Sequence, residues 1–277
     1  MIKMVQPMAM PSYVSLGDEI CGALVRMDER FRDVHAPSLP GILAWLASDP
    51  ANQLQYAPFF IKDELVHELS PYLSALNDVH YRPPRSCDEI AVLDQMSGVD
   101  PAGIAASEFS AFKQLLLSVA GSAGGIDRFR DGEVGTAADK AGSRVVYPPA
   151  RIVESQLEIL FDFFRAAFPV SPSFCAIVLY AGIANLHPFA DSNGRVSRIL
   201  YNWIVRAGAG SLHYIPLFEV GMLSCGGMLI RLRHATYYGN WAPLILFFDH
   251  IVGSVLQPRS YAAMADCAVG RPIRCDH

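Results

Sequence analysis

Residues 187–198 read His-Pro-Phe-Ala-Asp-Ser-Asn-Gly-Arg-Val-Ser-Arg, and an apolar run, Phe174 to Leu186 (FCAIVLYAGIANL), leads straight into them. The run has the character of a buried helix. Pro188 prevents that helix from simply continuing. Asp191, Ser192 and Asn193 are all good N-cap residues, so a second helix is expected to leave at about Gly194. A helix start carries unpaired backbone N–H groups that favour an anion. Arg195 and Arg198 are three apart and share one helix face, which adds two guanidinium groups suited to a polyphosphate. His187 is the readily protonated base of the loop, with an ordinary pKa near 6.5. Asp191 offers a hard oxygen to magnesium. Taken singly, such a histidine is usually structural and such arginines usually solvated. Together within one short segment they point to phosphoryl or nucleotidyl transfer, where the protein positions, neutralises charge and removes a proton.

Working outward, helical periodicity covers 150–168, 172–186, 195–207, 227–238 and 241–256, and upstream 16–32, 40–48, 60–77 and 104–120. The polar stretch 78–88 (DVHYRPPRSCD) reads as a connection between helical regions. Residues 121–149 are rich in Gly, Ala and Asp. There the segments around Val134 and Arg144–Tyr147 either pair as a hairpin or belong to a surface loop. The fold class expected is all-α with one small β element.

Composition narrows the partners. Apolar residues make up 52 % of the 277, ample for a core, and the net charge of −5 argues against a general hold on nucleic acid. The apolar run 174–186 is too short to span a bilayer, and the N-terminus lacks a continuous apolar signal segment, so no membrane span or leader is expected. Six cysteines without CxxC or zinc spacing read as free thiols in a cytoplasmic protein, with Cys175 and Cys225 in the core.

The segment HPFADSNGRVSR resembles the Fic family motif, HPFxDGNGRxxR, at every fixed position except Ser192, where the motif has glycine. Upstream, GGIDRFRDGEV and VVYPPARIVESQLEIL resemble the start and end of that family's substrate-binding flap. Downstream, ATYYGNWAPLILFF resembles its paired tyrosines, at a shorter interval. The resemblance covers about 105–255. It implies a Fic-type helical bundle with a β-hairpin flap at about 128–147, in a core domain 105–257. A helical region, 1–104, precedes this core, and a tail, 258–277, follows it.

The resemblance also implies an activity: transfer of AMP from ATP to a protein hydroxyl, with His187 as base and Asp191 holding magnesium. Phe189 anchors the loop. Ser192, Asn193 and Gly194 lie in the phosphate-binding turn, Arg195 contacts the outer phosphates and Arg198 the terminal one. Tyr237 and Tyr238 either line the nucleoside pocket or are plain core packing. The target protein is expected to lie along the flap as an extended segment. Cytoplasmic action, or delivery into a host cell as an effector, is expected. Ser192 leaves open the transfer of phosphate, another nucleotide or phosphocholine, since alanine occupies that position in Doc kinases and in a phosphocholine-transferring branch. Gly194 stands where Doc proteins carry lysine. A silent nucleotide-binding scaffold is the remaining alternative. Many Fic proteins are restrained by a glutamate that pairs with the second motif arginine. Ser15-Leu-Gly-Asp-Glu19 alone has the usual serine-to-glutamate spacing before the core. The segment reads first as an ordinary N-cap serine with an acidic first turn; otherwise Glu19 reaches Arg198, or restraint comes from a separate antitoxin-like protein or is absent.

Overall fold

The computed structural model describes residues 2–33, 86–136, 144–209, 214–215, 217–218 and 227–255. Nine α-helices appear among them: α1 (Asp18–Asp33), α2 (Ser86–Gln95), α3 (Pro101–Ala105), α4 (Phe109–Ser122), α5 (Val153–Ala167), α6 (Pro172–Leu186), α7 (Asn193–Ala209), α8 (Gly227–Tyr238) and α9 (Ala242–Val255). Two strands, β1 (Ile2–Met4) and β2 (Arg144–Val146), complete the set. The expected all-α class is the observed one.

Helix α6 is the axis of the molecule. Its residues are apolar all round and most are buried, including Phe174, Ile177, Val178, Leu179 and Ile183. A helix without a polar face must be covered on every side. Here α7, α5, α1, α8 and α9 all pack against it. Gly182 lets α5 approach closely, because a Cβ there would lie 2.8 Å from Leu160. Ser171 starts the helix, its side chain accepting from the Phe174 amide at 3.2 Å. Among the described residues no helix is long and apolar enough to cross a membrane.

The N-terminal segments share this core. Leu24, Met27 and Phe31 of α1 and Val92 and Leu93 of α2 belong to the same buried cluster as α4–α9. Asp28 on α1 accepts from the Ser171 hydroxyl at 2.6 Å and the Ser173 amide at 2.8 Å. A carboxylate at the positive end of α6 is favourably placed. Helix α2 lies on α7, held by Glu89–Arg198, by Asp94–Arg206 and by the Trp203 indole donating to Val99 O at 2.7 Å.

The helix expected over 104–120 is broken in two. The Ser107 hydroxyl turns back onto Ile104 O at 2.6 Å, ending α3 before α4 begins. Part of the expected connection 78–88 is helical, since α2 starts at Ser86. The hairpin reading of 121–149 is the right one: Tyr147 N donates to Val134 O at 2.9 Å and Thr136 N to Val145 O at 2.8 Å. The sequence gives no sign of β1, which adds to the hairpin in parallel with β2, Lys3 opposite Val145. The helices expected at 40–48 and 60–77, Cys225 and the tail 258–277 lie outside the described residues. Cys175 is a buried free thiol.

Candidate active site

The loop between α6 and α7 is built by two residues in the left-handed region, His187 (φ 53°) and Ser192 (φ 70°). Neither is glycine, so each costs about 1–2 kcal/mol and must be held by its surroundings. His187 caps α6, its amide donating to Ile183 O at 2.9 Å. Phe189 is fully buried and anchors the loop. Asn193 staples the loop to itself: its Oδ1 accepts from Phe189 N at 2.9 Å and its Nδ2 donates to Phe189 O at 2.8 Å. With its amide so committed, what Asn193 offers an anion is backbone N–H, shared with Gly194 and Arg195 in the first turn of α7.

The His187 ring is oriented on two sides. Nδ1 lies 3.3 Å from Ala184 O. A carbonyl only accepts, so Nδ1 carries the proton and Nε2 keeps the basic lone pair. Tyr147, just past β2, stacks on the imidazole with ring centroids 3.7 Å apart and planes 12° from parallel. Burial pushes the His187 pKa below the ordinary histidine value, and Arg130 pushes it further down, against the Ala184 carbonyl and Asp191. The ring is therefore poised as a neutral base at neutral pH.

Asp191 is the exposed member of the set. Its Oδ1 accepts from Ser192 N at 2.6 Å, and its Oδ2 pairs with Arg195 Nη2 at 3.1 Å. Arg195 also donates to Ala123 O at the end of α4. These two residues border a cleft of about 720 Å³, whose lining also includes Glu89, Gln95 and Gly124. That volume suits a nucleotide-sized ligand. Ser192 is buried, and its hydroxyl faces Gly125, where a Cβ would come within 2.2 Å of it.

Arg198 does not open to the cleft as a free cation. Its Nε lies 2.9 Å and 3.1 Å from the two oxygens of Glu89, and its Nη2 2.5 Å from Oε1. Tyr214 donates its hydroxyl to Glu89 Oε2 at 2.8 Å, and the Phe218 ring lies 5.1 Å below the guanidinium. Burial pulls the Arg198 pKa down, but hydrogen bonding and charge from Glu89 outweigh it, and the net shift is upward. Of the two readings of Glu19, the helix-start one holds and the contact with Arg198 does not. Glu19 is exposed in the first turn of α1, the ordinary helix-start role, and the carboxylate on Arg198 is Glu89.

Tyr237 and Tyr238 are not core residues: they are 41 % and 77 % exposed at the end of α8. Tyr237 lies close enough to Tyr147 to raise its pKa, so this end of α8 flanks the histidine side of the loop. The structure thus gathers His187, Asp191, Ser192, Asn193, Gly194 and Arg195 at one loop. It sets Tyr237 beside that loop and withholds Arg198 behind Glu89. Sequence reasoning missed Glu89, Tyr147 as the stacking ring, Tyr214, and the contacts of Arg130. Of these, only Arg130 and Tyr147 lay in segments with a recognisable pattern.

A profile described as the Fic/DOC family matches residues 104–205. A Fic family protein from Desulfovibrio desulfuricans G20 is 18 % identical, with a TM-score of 0.56 over 96 % of this chain and 79 % of its own. A fragment of Fic-1 from C. elegans carrying a glutamate-to-glycine substitution is 15 % identical, with a TM-score of 0.51 over 90 % of this chain and 73 % of its own. No curated protein sequence matches the chain. The motif loop and the helices that flank it in sequence, α6 and most of α7, fall within residues 104–205, the segment that is similar to the Fic/DOC family.

Proposed function

We propose that this chain is a transferase that moves AMP from ATP onto a hydroxyl of a target protein. The observation that carries the reading is His187: a half-buried imidazole whose Nδ1 is spent on Ala184 O, leaving Nε2 as a base one loop away from the anion-binding start of α7. The target hydroxyl attacks the α-phosphorus. The bond from that phosphorus to the bridging oxygen of the β-phosphate breaks, and pyrophosphate leaves. The hydroxyl proton passes to Nε2 of His187. Backbone N–H groups of Asn193–Arg195 and the Arg195 guanidinium hold the phosphates.

Among the described residues no group of three or more His, Cys, Asp or Glu side chains is placed to hold a metal. An ion here would rest on one carboxylate and the phosphates of the substrate, which is how magnesium is commonly held. Asp191, exposed at the cleft, fits that part, and the ion would supply charge neutralisation. Restraint is internal in this reading. Glu89 occupies the guanidinium that would take the terminal phosphate.

With ATP labelled on the α-phosphate, the chain or a partner acquires label, and His187→Ala lowers the rate at least about 10²-fold. Undiminished labelling in that variant removes His187 from the role. Label arriving only from the γ-phosphate replaces AMP with phosphate as the transferred group.

A further inference from the structure

We infer that Arg130 is the positioning residue of the catalytic base, binding the backbone of His187 and the root of the flap into one unit. This rests on the reading of His187 as the base. Arg130 is 6 % exposed, yet no carboxylate among the described residues forms an ion pair with it. Its partners are carbonyls. Nε donates to His187 O at 2.6 Å, Nη2 to Leu186 O at 3.2 Å and to Pro148 O, and Nη1 to Gly132 O at 2.9 Å. Its own amide donates to Pro188 O at 2.9 Å. Three consecutive carbonyls, 186 to 188, are therefore held by one residue, and the same guanidinium grips both ends of the hairpin.

The chemistry of these partners explains the choice of arginine. Leu186 and His187 end α6, where carbonyls lack helical partners and the helix presents its negative end. A guanidinium satisfies several such acceptors at fixed angles, which an ammonium cannot do. His187 sits at φ 53°, a conformation its own backbone resists. The grip on the carbonyls on both sides of it and on its own holds that conformation, and hence the direction of the ring.

Charge follows from the same placement. A histidine at a helix C-terminus is ordinarily drawn towards its protonated form. Arg130 opposes that from the flap root. Asp191 in the loop acts the other way, and Tyr147 covers the ring as a neutral phenol whose own surroundings include Arg233 and Tyr237 of α8. Glu133 is the acid nearest in effect to Arg130 and does not form an ion pair with it.

The test uses the full chain with Arg130→Met, Arg130→Lys and His187→Ala. Transfer from α-labelled ATP is measured together with the titration of the His187 imidazole by NMR, the His187→Ala spectrum assigning the signal. In the wild type the imidazole titrates below 6.5. In Arg130→Met its pKa rises towards that value, and kcat falls about 10- to 100-fold while KM for ATP stays within about twofold. Arg130→Lys keeps the charge and loses the fork, so kcat falls while the titration moves less; it serves also if the methionine variant does not fold. Wild-type kcat and an unmoved titration in the Arg130 variants, with His187→Ala inactive, overturn this inference and leave the base intact. A rise in KM alone overturns it too, since that marks a substrate contact. A fully active His187→Ala instead removes the base reading on which it stands.

Discussion

A buried arginine, Arg130, and a largely buried one, Arg198, flank the motif loop, and they are neutralised in opposite ways. Arg130 at the flap root is surrounded by backbone carbonyls. Arg198 on α7 faces a single buried carboxylate from another helix. Carbonyls of the scaffold cannot leave without unfolding it, so the first arrangement is permanent architecture. A carboxylate on a separate helix is a ligand that another anion can replace. On the proposed reading, the first site serves positioning and the second serves control. Breaking them should move activity in opposite directions.

The largest test of that contrast is Glu89→Gly. A guanidinium–carboxylate contact of this kind is worth on the order of 1–3 kcal/mol, so transfer should rise about 5- to 100-fold. Stability should move the other way. Leaving Arg198 buried without its partner costs several kcal/mol, and added ATP should restore more of the melting temperature than in the wild type. A rate unchanged from wild type would show that Glu89 and the terminal phosphate do not compete. Tyr214→Phe should act in the same direction and more weakly, by about two- to fivefold, because it removes one hydrogen bond to the carboxylate and keeps the charge. Loss of activity in Tyr214→Phe would make the tyrosine part of the machinery instead of part of the restraint.

These two sites also differ in how far the sequence could reveal them. The loop from His187 to Arg198 is local. Proline, cap residues and the arginine pair all act within one turn or two, so their chemistry can be read directly. Phe189 as an anchor came from the family resemblance, and the flap hairpin was one of two readings its segment allowed. Glu89 lies 109 residues from Arg198, and its pairing is a product of α2 docking on α7. Its nearest upstream serine, Ser86, is three positions away, where the expected pattern has four, and Ile90 follows it. Glu19 had the expected spacing and only a helix start to serve. Spacing describes one helix, whereas the contact is decided by which helix reaches the arginine. Arg130 was visible as part of a flap-like segment, but its grip on three carbonyls of a different element was not. The strand β1 is three residues long and carries no pattern of its own.

The smallest expected effect concerns the second left-handed residue of the loop. His187 is gripped by Arg130, but Ser192 has no comparable hold. It sits at φ 70°, and its buried hydroxyl has no hydrogen-bond partner among the described residues. Its amide, by contrast, is used, donating to Asp191 Oδ1 at 2.6 Å. Ser192→Gly keeps that amide, removes the strained Cβ, worth about 1–2 kcal/mol, and removes the cost of an unpaired hydroxyl. Glycine's greater freedom in the unfolded chain offsets about 0.5–1 kcal/mol of the gain. The net should be a stabilisation of about 1 kcal/mol, read as a rise of about 2–4 °C in melting temperature for a chain of this size. Transfer should stay within about twofold, because the phosphate-facing groups of the turn are backbone. A lower melting temperature in Ser192→Gly would mean that the hydroxyl packs against Gly125 with more benefit than its geometry suggests. A large gain in transfer would mean that the serine, alongside Glu89, restrains the enzyme.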